Sequence, residues 1–439
     1  MRIFLLSLLA GSFLLTGIAP ASAQPTPARL TTSDQAPQTL DPAAATQAWL
    51  ATVPADKRAA SDAYFEGGYW LILWDFLLGA AISIFFLASG LSARLRDFAE
   101  RKTRFKAMQV ALYAVCYVVI SAVISFPLDV YSQYFREHQY GLATQTFGPW
   151  FGERLTAFAI TIVAAALVLI VLYAVFRRAP RTWWLWGTGV AIIFAVFGSL
   201  IAPVFIEPIF NKYKPLADPK ISASILAMAS ANEIPVHQVF EVDASRQSNR
   251  VSANVSGIFG TTRIALNDNL LKQCTLPEIR AVMAHEMGHY VLNHSMKLIL
   301  YSSVFLFVGF ALMRALFDRC VRRWGSSWGV RGIADPAGLP LIALLFSTYF
   351  FLLTPLLNTA TRVTEREADA FGINTAREAD GFAKVALKLG AYRKLDPGPW
   401  EEIIFFDHPS GRARIRMAMD WKAANLPAGD AGKPLTVSR

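Results

Sequence analysis

The sequence predicts a mainly α-helical, polytopic membrane protein with a small α+β soluble part, and three observations lead there. Apolar residues fill 54% of the 439 positions and charged ones only 17%, and the mean hydropathy is +0.37, a balance too apolar for an ordinary soluble chain. Several runs approach the roughly 20 residues that a helix needs to cross a bilayer. Between Glu207 and Lys297 the composition turns soluble, and the periodicities of both helix and strand appear.

In chain order, the opening MRIFLLSLLAGSFLLTGIAPASAQ joins a basic start, an apolar stretch and small residues before Gln24. Residues 1–23 fit either a secretory signal peptide cut after Ala23 or a retained first membrane helix. Residues 24–68, rich in Ala, Pro, Thr and Asp, read as a linker with room for one short amphipathic helix. A four-span membrane domain follows over 69–206, with apolar runs at 69–91, 107–128, 155–176 and 183–206. Residues 207–425 carry the soluble part and two further membrane helices, at about 298–316 and 339–357. Trp70, Trp74, Trp183, Trp184 and Trp186 stand near span ends, as interfacial anchors do. The last stretch, 426–439, reads as a disordered tail.

The formal charge of +10 is read as topology. SARLRDFAERKTRFK, RRAPR and RALFDRCVRRWGSSWGVR are the basic loops, all three fall on one face, and the loop from Asp129 to Arg154 on the other face is not basic. With the basic face cytoplasmic, the segments after Ile206 and Leu357 lie outside. No basic stripe interleaved with aromatics appears, so no nucleic-acid partner is expected. Cys116, Cys274 and Cys320 are odd in number and far apart, which argues against a disulfide framework.

Within the soluble part, ADPKISASILAMASANE has helical periodicity and VHQVFEV alternates like a strand. SANVSGIFG and TTRIAL read as a strand pair joined through Gly260. TLPEIRAVMAHEMGHYVL reads as a helix that Thr275 and Glu278 open with a capping box.

On that helix His285 and His289 are four apart, leave the same face and can hold one ion, while Glu286 beside them can take a proton from a metal-bound water. Zinc suits the set, because it accepts imidazole and carboxylate and keeps a position for water. A five-residue pattern also arises by chance, so a third ligand is needed. His294 falls one residue short of the third-histidine position of the metzincin pattern, and reads as a helix-surface histidine. NTATRVTEREADAFG offers more: Glu365 and Asp369 share a helix face, Glu367 points nearly the opposite way, Glu365 can ligate and Asp369 can orient a ligand histidine. Alone, the stretch reads equally as a solvated acidic face.

HEMGH followed by RVTEREADAFG resembles the M48 gluzincin metallopeptidases, and within them the Ste24 endopeptidases, the integral membrane CAAX prenyl proteases, more than the shorter HtpX-type proteases. EHQYGLATQTFG, IAPVFIEPIFNKYKPL, RIALNDNLL and DHPSGRARI strengthen the likeness, which runs from about Tyr69 to Trp421. The resemblance implies a gluzincin fold with about seven membrane helices enclosing a water-filled chamber, a count met only if residues 1–23 are retained. It implies one Zn2+ per chain on His285, His289 and Glu365, with Glu286 as general base and Asp369 as the partner of a ligand. Asn254 matches an asparagine of the strand that pairs with substrate backbone, and His408 and Arg414 match groups that bind substrate or stabilise the oxyanion. Departures are Val255-Ser256 after Asn254, where the family has Ala-Tyr, and Thr361-Arg362, where it has Ser-Arg.

The expected function is therefore an integral membrane zinc endopeptidase that cuts membrane-associated, CAAX-like or misfolded polypeptides, with the lipid bilayer as its other partner. The alternative is a membrane scaffold or carrier that keeps a structural metal. The secretory-type start suggests a bacterial inner membrane with the zinc domain on the periplasmic side. The eukaryotic relatives' orientation leaves the cytosolic side open.

Overall fold

The computed structural model describes residues 40–256 and 262–425. The signal peptide or first membrane helix, Gly260 and the carboxyl tail fall outside the described residues. A short helix α1, Pro42–Ala51, is capped by Asp41, whose side chain accepts the Ala43 N–H, and Pro42 fits its first turn. Six further helices are long and apolar enough to cross a bilayer among the described residues: α2 Ala55–Ala88, α4 Lys106–Gln139, α5 Phe147–Arg178, α6 Trp183–Phe210, α10 His294–Trp328 and α11 Leu339–Ala376. Helix α3, Leu91–Lys102, joins α2 to α4. Five of the six expected spans lie inside these helices, and the first, 69–91, overruns α2, which ends at Ala88 before Gly90 turns the chain into α3.

The helices outrun the apolar runs that announce them, and three do so furthest. Helix α2 begins at Ala55, so residues 55–68, expected as linker, are its polar first turns. They stay helical because they dock: Arg136 donates to the Tyr64 carbonyl and lies 4.1 Å from the Tyr64 ring, and Phe65 packs on Phe406 with ring centroids 4.6 Å apart. Helix α10 continues to Trp328, so most of the third basic loop is helix. Helix α11 runs on for 38 residues, through Pro355, out of its apolar half and into the metal site.

Phe176, Trp183, Phe310, Phe317, Phe346 and Phe350 form the main buried core between α5, α6, α10 and α11. Trp183 is thus a core residue rather than an interfacial anchor: its ring meets Phe176 edge-on at 5.1 Å. Trp70, Trp74 and Trp186 are exposed, as expected. The first and third basic segments meet at one end of the bundle, where Arg96 donates to Asp335 at 2.7 Å and to the Gly329 carbonyl. Alternation of the helices carries the soluble part to the opposite end.

There, β1 Tyr213–Pro215, β2 Val239–Val242, β3 Ala253–Ser256 and β4 Arg263–Asn267 form a sheet of order β1-β2-β4-β3. β2 and β4 are parallel, β1–β2 and β3–β4 antiparallel, and Asn254 faces Ala265 in register. Helix α7, Pro219–Ala231, and helix α9, Leu276–Val291, close over it, burying Ile225, Val239, Ile264, Leu266 and Met283. The stretch between β4 and α9 holds α8, Asp268–Gln273, and works as a knot. Asn267 accepts the Leu270 and Ser252 N–H groups and donates to the Arg250 carbonyl, and Asn269 donates to the same carbonyl. Arg250 in turn donates to Tyr64 and Glu137, tying the entry to β3 onto α2 and α4.

Candidate metal centre

Helix α9 starts as its sequence predicts, with the Thr275 N–H and hydroxyl both donating to the Glu278 carboxylate. It packs so closely on α11 that side chains are barely tolerated at the crossing. A Cβ on Gly288 would stand 3.2 Å from the Ala368 backbone, and one on Gly372 would stand 2.9 Å from the His285 nitrogen. The two glycines let the helices meet, and the meeting brings Glu365 to the histidines.

The ligand atoms converge. His285 Nε2 lies 3.1 Å from His289 Nε2 and 3.3 Å from Glu365 Oε2, and His289 Nε2 lies 3.4 Å from Glu365 Oε1. Zinc bonds of 2.0–2.1 Å define a tetrahedron with edges of about 3.3–3.4 Å, so three corners of such a polyhedron are already laid out. The donor set fits the metal that the sequence implies, with two imidazoles, one carboxylate and a fourth corner for water.

Each ligand has a partner behind it. His285 Nδ1 is 2.8 Å from Asp369 Oδ1, and Asp369 is wholly buried. Arg414, from helix α14 Gly411–Asn425, which packs on α12 Ala379–Leu389, donates through Nε to Asp369 at 2.9 Å and through Nη2 to Glu365 at 3.4 Å. The guanidinium thus clamps both carboxylates from behind. Burial opposes protonation of His285, but Asp369 and Glu365 hold its imidazole up at about 10. Burial and the charge on His285 push His289 down to about 3. Burial raises the Glu286 carboxyl to about 7, with the Glu365 charge adding to it.

His294 corrects the sequence reading. It is fully buried rather than on a helix surface, because α9 stops at Val291 and Asn293 turns the chain through a left-handed φ of 53°. The fold-back sets His294 Nδ1 2.9 Å from His289 Nδ1 and its Nε2 3.0 Å from Glu367 Oε2, and Lys297 donates to the same oxygen. With His289 Nε2 turned to the ligand set, its Nδ1–H donates to His294, whose own proton then sits on Nε2 and donates to Glu367. Glu367 does point away from Glu365, yet it belongs to the centre through this relay. Sequence reasoning missed the pair. The one local signal was Asn293, a residue suited to ending a helix just before His294.

His408 also reaches the centre, its Nε2 3.3 Å from Glu365 Oε2. Its Nδ1 is 2.8 Å from Asp407, and its Nε2 is 3.4 Å from Arg393. Asp407 has a side chain 61% exposed, and His408 and Arg393 hold its carboxyl down at about 2. Neither Asp407 nor Arg393 was singled out from sequence. Asn254 stands on β3, the outer strand, which packs beside α9.

Comparison with known proteins adds to this geometry. Residues 215–422 match the model of peptidase family M48, and residues 43–212 match the CAAX prenyl protease N-terminal model, described as five membrane helices. The metalloprotease YhfN of Bacillus subtilis, itself uncharacterized, is 32% identical over 78% of this chain and 80% of its own length. The chain belongs to peptidase family M48. Among its M48 relatives, CAAX prenyl protease 1 of Saccharomyces cerevisiae is 26% identical over 72% of this chain and 74% of its own. The crystal structure of S. mikatae Ste24p superposes with a TM-score of 0.70 over 86% of this chain and 94% of that one, at 20% identity, a likeness of fold. This M48 chain is a multi-pass membrane metalloprotease of the CAAX prenyl protease type.

Proposed function

We propose that the chain is a zinc endopeptidase that hydrolyses peptide bonds in membrane-associated, CAAX-like or misfolded polypeptides. The observation that carries the reading is the convergence of His285, His289 and Glu365 at tetrahedral spacing with Glu286 on the next position of the same helix. When bound, zinc would polarise the scissile carbonyl and bring the pKa of a water to roughly 7. Glu286, raised to about 7 by burial, is matched to take a proton at that pH and return it to the leaving amine. Asn254 on the outer strand would hold the substrate backbone as an added strand. His408, backed by Asp407 and close to Arg393, would donate to the carbonyl oxygen as charge develops there. Arg414 donates from Nε to Asp369 and from Nη2 to Glu365, so it would position the ligand set as well as reach bound substrate.

A structural metal in a scaffold or carrier would need no base beside three protein ligands. Glu286→Ala decides between the two: metal content is expected to stay, and peptide cleavage to fall by about 10²–10⁴-fold. Cleavage undiminished in that variant would overturn the enzyme reading. We also propose that the chain resides in a bacterial inner membrane with the metal site on the periplasmic side, because the basic segments gather at the opposite end of the bundle. Alkaline phosphatase fused after Arg439 is expected to be active, and green fluorescent protein there to stay dark. The reverse pattern would put the site in the cytosol.

A further inference from the structure

Between the metal site and the membrane helices lies a seven-residue helix, α13, Pro399–Phe405, whose polarity is inverted. Its acids face the protein. Glu401 accepts from Tyr69 and Lys394, and Glu402 accepts the Ser410 N–H at 3.0 Å. Its large apolar side chains face out, with Trp400 75%, Ile403 43% and Ile404 36% exposed. On a soluble surface that arrangement would leave three bulky side chains in water and shield the carboxylates.

Two attachments fix the level of α13 relative to the bilayer. The Phe405 ring stacks on Tyr69, at 3.8 Å and 14°, where the apolar run of α2 begins. The Asn358 side chain donates to the Ile404 carbonyl at 2.8 Å, one residue beyond Leu357, where the apolar run of α11 ends. Arg362, one turn further on, donates to the Glu402 and Phe406 carbonyls. The neighbouring faces of α2 and α11 present Trp70, Trp74, Leu352 and Leu356 outward. The apolar face of α13 is therefore continuous with the lipid-facing belt and sits at its upper rim, where tryptophan concentrates.

We propose that α13 is seated in the boundary between headgroups and acyl chains, with the bilayer itself as the partner of Trp400, Ile403 and Ile404. Asp407 and His408 follow α13 after the single residue Phe406, and Glu402 caps the Ser410 N–H, so the lipid seat holds the loop that brings His408 to Glu365. The inference uses the membrane assignment and not the proteolytic one.

The test is nitroxide accessibility on the full chain in phosphatidylcholine–phosphatidylglycerol vesicles, with Cys116, Cys274 and Cys320 replaced by serine. Labels are placed separately at Trp400→Cys and Ile403→Cys, with Leu352→Cys as the lipid reference and Lys214→Cys as the aqueous one. Both α13 labels are expected to collide with oxygen as the lipid reference does, and with a water-soluble nickel chelate at least fivefold less than the aqueous reference. Nickel access equal to that at Lys214 would overturn the proposal, as would labels shielded from both reagents, the signature of a protein partner or a second copy. The readout needs no catalytic activity, so failure here and failure of the protease reading stay distinct.

Discussion

The two helices that supply the candidate metal ligands reach the site by different means. Helix α9 is 16 residues long, and its neighbourhood in sequence decides its course: a capping box opens it, Asn293 reverses the chain after it, and His294 returns to steady His289. Helix α11 arrives from the membrane, and distant contacts decide its course: Phe351 stacks on Phe76 at 4.3 Å, Arg362 binds carbonyls near Phe406, and Arg414 grips Asp369 and Glu365. The lesson is a division of labour. The imidazoles stand on a helix set locally, with Asp369 and Glu367 of α11 as their partners, and the carboxylates are placed by tertiary packing, so damage to the α11 core should reach the fold while damage on the α9 side should stay with the metal.

The most severe test of that contrast is Asp369→Ala. It frees His285 Nδ1 and strips the buried Arg414 of its closest carboxylate. Zinc affinity is expected to fall by about 100-fold and stability by about 3 kcal/mol, read by chelator competition and by melting in detergent. A loss of metal with an unchanged melting temperature would break the comparison. Proton linkage comes next. The carboxylates hold His285 at about 10, so at neutral pH the metal-free imidazole is charged and a metal must displace that proton. Zinc affinity is expected to rise about tenfold per pH unit between pH 6 and 8, and Asp369→Asn should flatten the slope. Calorimetry in buffers of different ionisation enthalpy counts the proton, and a count of zero would remove the charge from His285.

Gly372→Ala probes the crossing itself. Its new Cβ would press on the His285 backbone, and about 1–3 kcal/mol of destabilisation is expected. The smallest effect belongs to the α9 side. His294→Phe keeps the buried volume but leaves His289 Nδ1–H without its acceptor, which should cost about tenfold in zinc affinity at an unchanged melting temperature. Glu367→Gln, on α11 but at the solvent end of the His289 relay, should cost less still, because its carboxylate is 43% exposed. A melting loss in His294→Phe as large as that in Asp369→Ala would erase the distinction.

The same contrast explains what could be read from the chain. The six apolar runs, the strand pair and the capped helix α9 were legible because their signals are local: hydropathy over about 20 residues, alternation, and a Thr-to-Glu spacing of three. The trio His285, His289 and Glu365 was legible as a motif. The polar turns of α2 were not, because residues 55–68 carry no lipid signal and are held by Arg136 and Phe406, far away in sequence. The burial of Trp183 depends on Phe310 and Phe176 and leaves no local trace. His294 was misread because a helix was extrapolated past the residue that ends it.

Because α11 is continuous from Leu339 to Ala376, its apolar half, packed in the bundle core through Phe346 and Phe350, and its polar half, which carries Glu365, would move as one lever. Glu365 lies about 25 Å beyond the middle of the apolar run at a rise of about 1.5 Å per residue, so a tilt of about 5° there would swing its carboxylate by about 2 Å. Ligand atoms 3.1–3.4 Å apart have no such slack. A change of tilt, which neighbouring helices and interfacial anchors govern in a bilayer, would therefore be felt at the coordination polyhedron.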